Sequence, residues 1–150
     1  MRQQHQTIFN GKTGNCFSTC IANVLDMDIA SVPNFCAHED WWERTQDWLA
    51  GLNLFFCEIE SGENGLPPLP PLADGSLCIA AGMSPRGVRH AVVCKYKRDK
   101  TKNEHWLTLE HDPHPSSDGV KKIDLVGWLM VIDPSKSIGI TKAAIEKGGG

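Results

Sequence analysis

The sequence predicts an α+β domain, because helical patterning occupies the first third of the chain and strand-like runs occupy most of the rest. Three observations carry this. Phe17, Cys20, Ile21, Val24 and Leu25 recur at helical spacing, and Trp41, Thr45, Trp48 and Leu52 form a second stripe of the same period. Beyond Asn53, five short apolar runs alternate with segments rich in Gly, Pro, Asn and Asp. The simplest arrangement is helices first, then a meander of antiparallel strands packed on the first helix.

The first helix is expected over residues 16–27, opened by the Gly14-Asn15 break with Asn15 as its N-cap, and closed by Asp26-Met27-Asp28. Ile29 to Val32 suits one short turn before Pro33. The second helix is expected over 39–52, with Glu39 and Asp40 in its first turn and Gly51 and Asn53 at its end. Strands are expected at Leu54–Ile59, Leu77–Ala81, Val88–Lys97, His105–Glu110 and Val126–Ile132. Between the first two lies Leu66-Pro67-Pro68-Leu69-Pro70-Pro71-Leu72, which has polyproline II character and reads as an extended loop over the sheet or an SH3-type ligand. Residues 1–134 read as one domain. Residues 135–150 lose apolar periodicity, end in three glycines and read as a flexible tail.

A formal net charge of -3 and a pI near 6.0 leave no electrostatic case for binding nucleic acid or an anionic membrane. The basic residues from Lys95 to Lys102 alternate with Asp99 and Thr101, as on a solvated hairpin tip. No run approaches the roughly 18 consecutive apolar residues of a membrane span, and Met1 to Gln6 lack the apolar core of a signal peptide. A cytoplasmic protein is expected. Its cysteines, at 16, 20, 36, 57, 78 and 94, sit mostly inside apolar segments and read as small buried hydrophobes rather than disulfide partners.

One of them stands apart. Cys16 falls at the first turn of a helix, where unpaired N–H groups and the helix dipole favour a thiolate. Cys20, a turn deeper on the same face, lacks that field and reads as core packing. A nucleophilic thiol needs an imidazole base, and the imidazole needs an acceptor. Hairpin arithmetic selects them. If the turn joining the third and fourth strands centres near Lys100-Thr101, His90 falls opposite His111 or Asp112, within about 5 Å between Cβ atoms. His90 has a second reading as a partly buried structural histidine on the strand face of Val92 and Cys94. Asp112, in the rigid exit His111-Asp112-Pro113-His114-Pro115, reads as the orienting carboxylate or as a plain Asp-Pro turn. His111, Asp112 and His114 are also metal-ligand types, but the two prolines restrict their convergence and no metal-binding spacing accompanies them, so no metal is expected. An oxyanion hole needs a donor besides the Cys16 N–H, and Gln6 and Asn10 are the candidates upstream. Each has a bland alternative: Gln6 as an ordinary strand residue, Asn10 as a turn residue beside Gly11.

These motifs resemble the papain-like thiol hydrolase superfamily, and are most similar to the double-glycine leader peptidases attached to bacteriocin exporters. There too a cysteine opens a helix of small and apolar residues (here Cys16 to Ala22), a histidine begins an apolar strand (His90-Ala91-Val92-Val93) and an Asp-Pro follows the next strand (Asp112-Pro113). Small uncharacterised bacterial and phage proteins are also similar, through Gln-Thr-Ile-Phe, Gly-Asn-Cys and His-Asp-Pro-His-Pro-Ser elements. The resemblance implies a papain-like fold and cysteine peptidase, isopeptidase or amidase chemistry on a peptide or protein substrate, with no cofactor. The chain departs from the leader peptidases in having Asn15-Cys16-Phe17 where they have Asp-Cys-Gly. The family's oxyanion glutamine falls at Phe9 or Asn10 here. A catalytically silent binding module on the same fold is the competing function, with Trp41, Trp42, the proline-rich loop and Ser84-Pro85-Arg86-Gly87 as its recognition surface.

Overall fold

In a computed structural model of the chain, residues 1–61 and 72–136 are described. They form two helices, α1 (Cys16–Val24) and α2 (Trp41–Ala50), and five strands, β1 (Leu54–Glu60), β2 (Leu77–Met83), β3 (Arg89–Asp99), β4 (Glu104–His111) and β5 (Lys122–Val131). The α+β class is as expected. All strand pairs are antiparallel, in the order β1-β5-β2-β3-β4. This corrects the expected simple meander. Only β2-β3-β4 is one, and β5 returns to lie between β1 and β2.

The central strands are buried on both faces, which is why they read as near-continuous apolar runs. Ile79, Ala91 and Val93 join Phe17, Cys20, Ile21, Phe35 and Leu49 in a core between helices and sheet. Cys78, Ala80, Val92, Cys94, Tyr96, Val126 and Trp128 form a second layer, against which Leu72 and Val120 pack. The proline-rich stretch up to Pro71 lies outside the described residues, as does the chain from 137 onward. Ser135 and Lys136 belong to a short 3-10 turn, Pro134–Lys136.

Both helices are shorter than their periodicity suggested. α1 ends at Val24 because Asp26 adopts a left-handed backbone, φ 58°, so that Met27 N donates to Ala22 O and Asp26 N to Asn23 O. The turn at Ile29–Ser31 forms as expected, capped by Asp28. In α2 the buried stripe is Thr45 and Leu49, with Trp42 and Trp48 half-buried, whereas Trp41 and Leu52 are exposed. The helix stops at Ala50, so Leu52 lies beyond the turn that would have carried it back to the core.

The β3–β4 hairpin also differs in register from the expectation. Asp99 pairs with Glu104 across a four-residue tip in which Asn103 takes φ 54° and the Asp99 carboxylate accepts from Thr101 and Lys102. A register shift between Val93 and Cys94 then adds a further offset, and Val93 faces His111. His90 therefore has no ladder partner in β4. Asp112 lies past the strand's end and reaches His90 by its side chain.

Candidate active site

Cys16, the first residue of α1, owes its setting to the residues before it. Gly14 passes so close to the Asn10 carbonyl that any Cβ there would clash with it. Asn10 holds this loop by accepting from Lys12 N and from Thr13. Asn15 is buried and immediately precedes the helix, but its side chain is not the expected cap. It turns back instead, Oδ1 accepting from Thr7 N at 3.0 Å and Ile8 N at 2.9 Å while Nδ2 donates to Thr7 Oγ1. The first-turn N–H groups of α1 consequently carry no side-chain cap and remain available to an anion beside Cys16.

His90 is the second residue of β3 and is 3% exposed. It donates from Nε2 to Asp112 Oδ1 over 2.7 Å. Cys16 lines the same cleft as the ring, and Nδ1 is the nitrogen that the bond to Asp112 leaves free. Burial opposes charge on His90, but the bond to Asp112 and the neighbouring Cys16 thiol outweigh it and raise its pKa to about 9. Asp112 is itself held by the chain after β4: Oδ1 accepts from His114 N and Oδ2 from Gly119 N, each at 2.7 Å. Burial would raise its pKa, but the bonds from His90, His114 and Gly119 prevail and bring it down to about 2. The prolines around His114 set the curve of backbone that supplies these donors.

The N-terminal segment is strapped to the same turn. Gln6 N donates to Pro113 O at 2.9 Å, and the His111 ring bonds Gln4 O. Gln6 is buried, and its Nε2 donates to Ile8 O at 2.8 Å with a second amide hydrogen remaining. Its Oε1 has no hydrogen-bond partner among the described residues. Gln6, Asn10, Cys16 and His90 all line one cleft of about 480 Å³. Asn10 is exposed at the rim and is the turn residue of the loop, whereas Gln6 lies inside it.

All six cysteines carry free thiols. Cys20 is fully buried, and burial, reinforced by Cys16, pushes its pKa well up. Burial likewise raises Cys36 to about 11 and Cys94 to about 12. Cys36 shares the cleft wall with Cys16.

The potential metal ligands do not converge. His111 is turned to Gln4, Asp112 to His90, and His114 Nδ1 to Ser116 Oγ. Among the described residues no three His, Cys, Asp or Glu side chains are grouped to hold a metal ion, and no helix is long and apolar enough to cross a membrane.

The cleft also holds residues whose place in it the sequence does not indicate. His114, one of the six histidines that could serve as base and also a metal-ligand type, stands edge-on to His90 with ring centroids 6.1 Å apart, and Phe9 packs against it as well. Burial and the nearby Arg86 hold His114 below the ordinary histidine range. Arg86, which donates to Ser116 and Asp118, ties the Ser84–Gly87 turn to the loop that carries His114. Glu58 and Arg89 lie in the cleft wall on β1 and β3. The strand order brings Glu58 and Arg89 into the cleft with Cys16, and no local pattern marks them. Trp41 and Arg86, weighed as parts of a recognition surface, prove to line the same cleft as Cys16. No family model, no curated protein and no solved structure matches this chain.

Proposed function

We propose that this protein is a cysteine-dependent hydrolase of papain-like fold, acting on a peptide, isopeptide or related amide. The observation that carries the reading is one buried imidazole, His90, bonded to a buried carboxylate and lining the same cleft as the Cys16 thiol. In this scheme His90 takes the Cys16 proton and Asp112 holds the resulting imidazolium in place. Cys16 Sγ attacks the carbonyl carbon, forming the S–C bond. The oxyanion is met by the Cys16 N–H and the second amide hydrogen of Gln6. His90 then returns the proton to the departing nitrogen as the C–N bond breaks, leaving a thioester. Water, deprotonated by His90, hydrolyses it and restores the thiol.

The scheme draws on side chains and backbone alone and uses no cofactor. Six free thiols in one chain suit a reducing compartment, and we place the protein in the cytoplasm on that ground. Mass-spectrometric mapping of iodoacetamide alkylation on the native protein tests the reading. Cys16 is expected to react fastest, the fast phase to vanish in Cys16→Ala and to slow in His90→Ala. If all six thiols react slowly and alike, the cleft is a binding site on an inert scaffold and the enzyme reading fails.

A further inference from the structure

The cleft extends from Cys16 to a carboxylate that the scheme above does not use. Glu58 lies on β1, three strand spacings from β3, roughly 14 Å across the sheet. Between them the cleft wall is largely apolar, formed by Phe56, Ile79, Ala81 and Leu125 on the sheet and Trp41 on α2, with the Arg89 side chain, bonded to Asp124, also lining it. Gly127, the ladder partner of Glu58, has no side chain, and the Phe56 ring lies where its Cβ would be.

Glu58 has no hydrogen bond or ion pair among the described residues. Arg89, the cation whose field reaches it, is already committed to Asp124 through two bonds of 2.7 and 2.8 Å. Burial, and next Glu60, raise the Glu58 pKa, with Arg89 in opposition. An apolar wall with an unpaired carboxylate fits a long aliphatic chain ending in a cation. The methylenes lie on the wall, and the head group relieves the carboxylate's desolvation. His90 protonates the leaving nitrogen, so the leaving group lies on the β3 side and the acyl chain runs toward β1.

We propose that Glu58 is a specificity residue that selects a lysine or arginine side chain on the acyl side of the scissile amide. This rests on the thiol hydrolase reading and adds its substrate class. The other cations at the cleft, Lys12 and Arg86, belong to the loops on the Cys16 and Ser84 side.

Peptidyl vinyl sulfones test it, since Sγ adds to the β-carbon and the proton goes to the α-carbon without need of a known substrate. A set carrying Lys, Arg, norleucine, Gln or Glu at each of the first three acyl-side positions is reacted with the full chain, and modification of Cys16 is timed by mass spectrometry. The Lys and Arg probes at one position are expected to react about tenfold faster than norleucine, as a charge-assisted contact provides. Glu58→Gln is expected to erase that preference, Glu58→Lys to transfer it to the Glu probe, and Glu60→Gln to leave it intact, with circular dichroism confirming that each variant is folded. Cys16 modification indifferent to probe charge, faster with the acidic probe in the wild type, or unchanged in preference in Glu58→Gln overturns the specificity role while sparing the hydrolase. Failure of every probe to modify Cys16 ahead of the other thiols overturns both.

Discussion

His90 and Asp112 meet over 2.7 Å although neither is the other's partner in the sheet. The bond spans from the start of β3 to the residue just beyond β4. It holds because backbone N–H groups of His114 and Gly119 fix both carboxylate oxygens. Each partner is almost wholly buried, with side-chain exposures of 3% and 0%. The pair therefore cannot lose one member cheaply.

Asp112→Ala should cost about 3–5 kcal/mol of stability, because it strands a buried imidazole and two backbone donors. Asp112→Asn should cost less, since an amide oxygen still accepts, but should lower the His90 pKa and slow Cys16 alkylation. Urea unfolding and timed alkylation check the two effects separately. Equal stability of the Ala variant and wild type would refute the buried pair.

Stability should depend on pH through this pair in a defined direction. Asp112 drops from 3.8 to about 2 on folding, so its contribution is complete above pH 3.8 and is lost as the pH falls toward 2. His90 rises from 6.5 to about 9, so its contribution is complete below pH 6.5 and is lost as the pH rises through 9. The pair thus supports folding most between about pH 4 and 6.5. Thermal melts across pH 2–10 should show the wild type losing this support at both ends relative to His90→Ala/Asp112→Ala.

Gln6→Ala should separate binding from chemistry. In the scheme above, removing one oxyanion donor costs about 100-fold in kcat. Alkylation of Cys16, which forms no oxyanion, should change little. Because Gln6 N still donates to Pro113 O in the variant, the strap to the Asp112 turn should persist. Parallel losses in turnover and alkylation would show a structural role instead.

Cys20→Ala should leave Cys16 alkylation intact. The side chain is fully buried in the core under α1, so the loss should appear as about 1–2 kcal/mol of stability, read from urea unfolding. A drop in Cys16 reactivity without that destabilisation would mean the two thiols act together.

Much of this architecture was legible in order and type. The helices announced themselves because apolar side chains must recur every three or four residues to cover one face. β2 and β3 did so because strands buried on both sides have nearly continuous apolar runs, as in Cys78 to Ala81 and Ala91 to Cys94. The contact between His90 and Asp112 was legible from residue chemistry and an approximate hairpin count, although the count placed the turn too early and missed the register shift beside Val93. That contact survives the offset because a side chain can absorb a shift of a residue or so that a backbone ladder does not.

Other features depend on atoms far apart in the chain. The insertion of β5 between β1 and β2 left no local trace, because strand pairing is a matter of which apolar faces meet rather than of sequence proximity. The same insertion sets the distance from Glu58 to β3. Asn15 shows the limit most clearly: its residue type and place predict a helix cap, yet Thr7 and Ile8 claim its side chain. Short-range preference yields there to contacts with a segment that only folding brings alongside. The chain order specifies the chemistry available, and packing decides which nitrogen and thiol share one cleft and which carboxylate backs them.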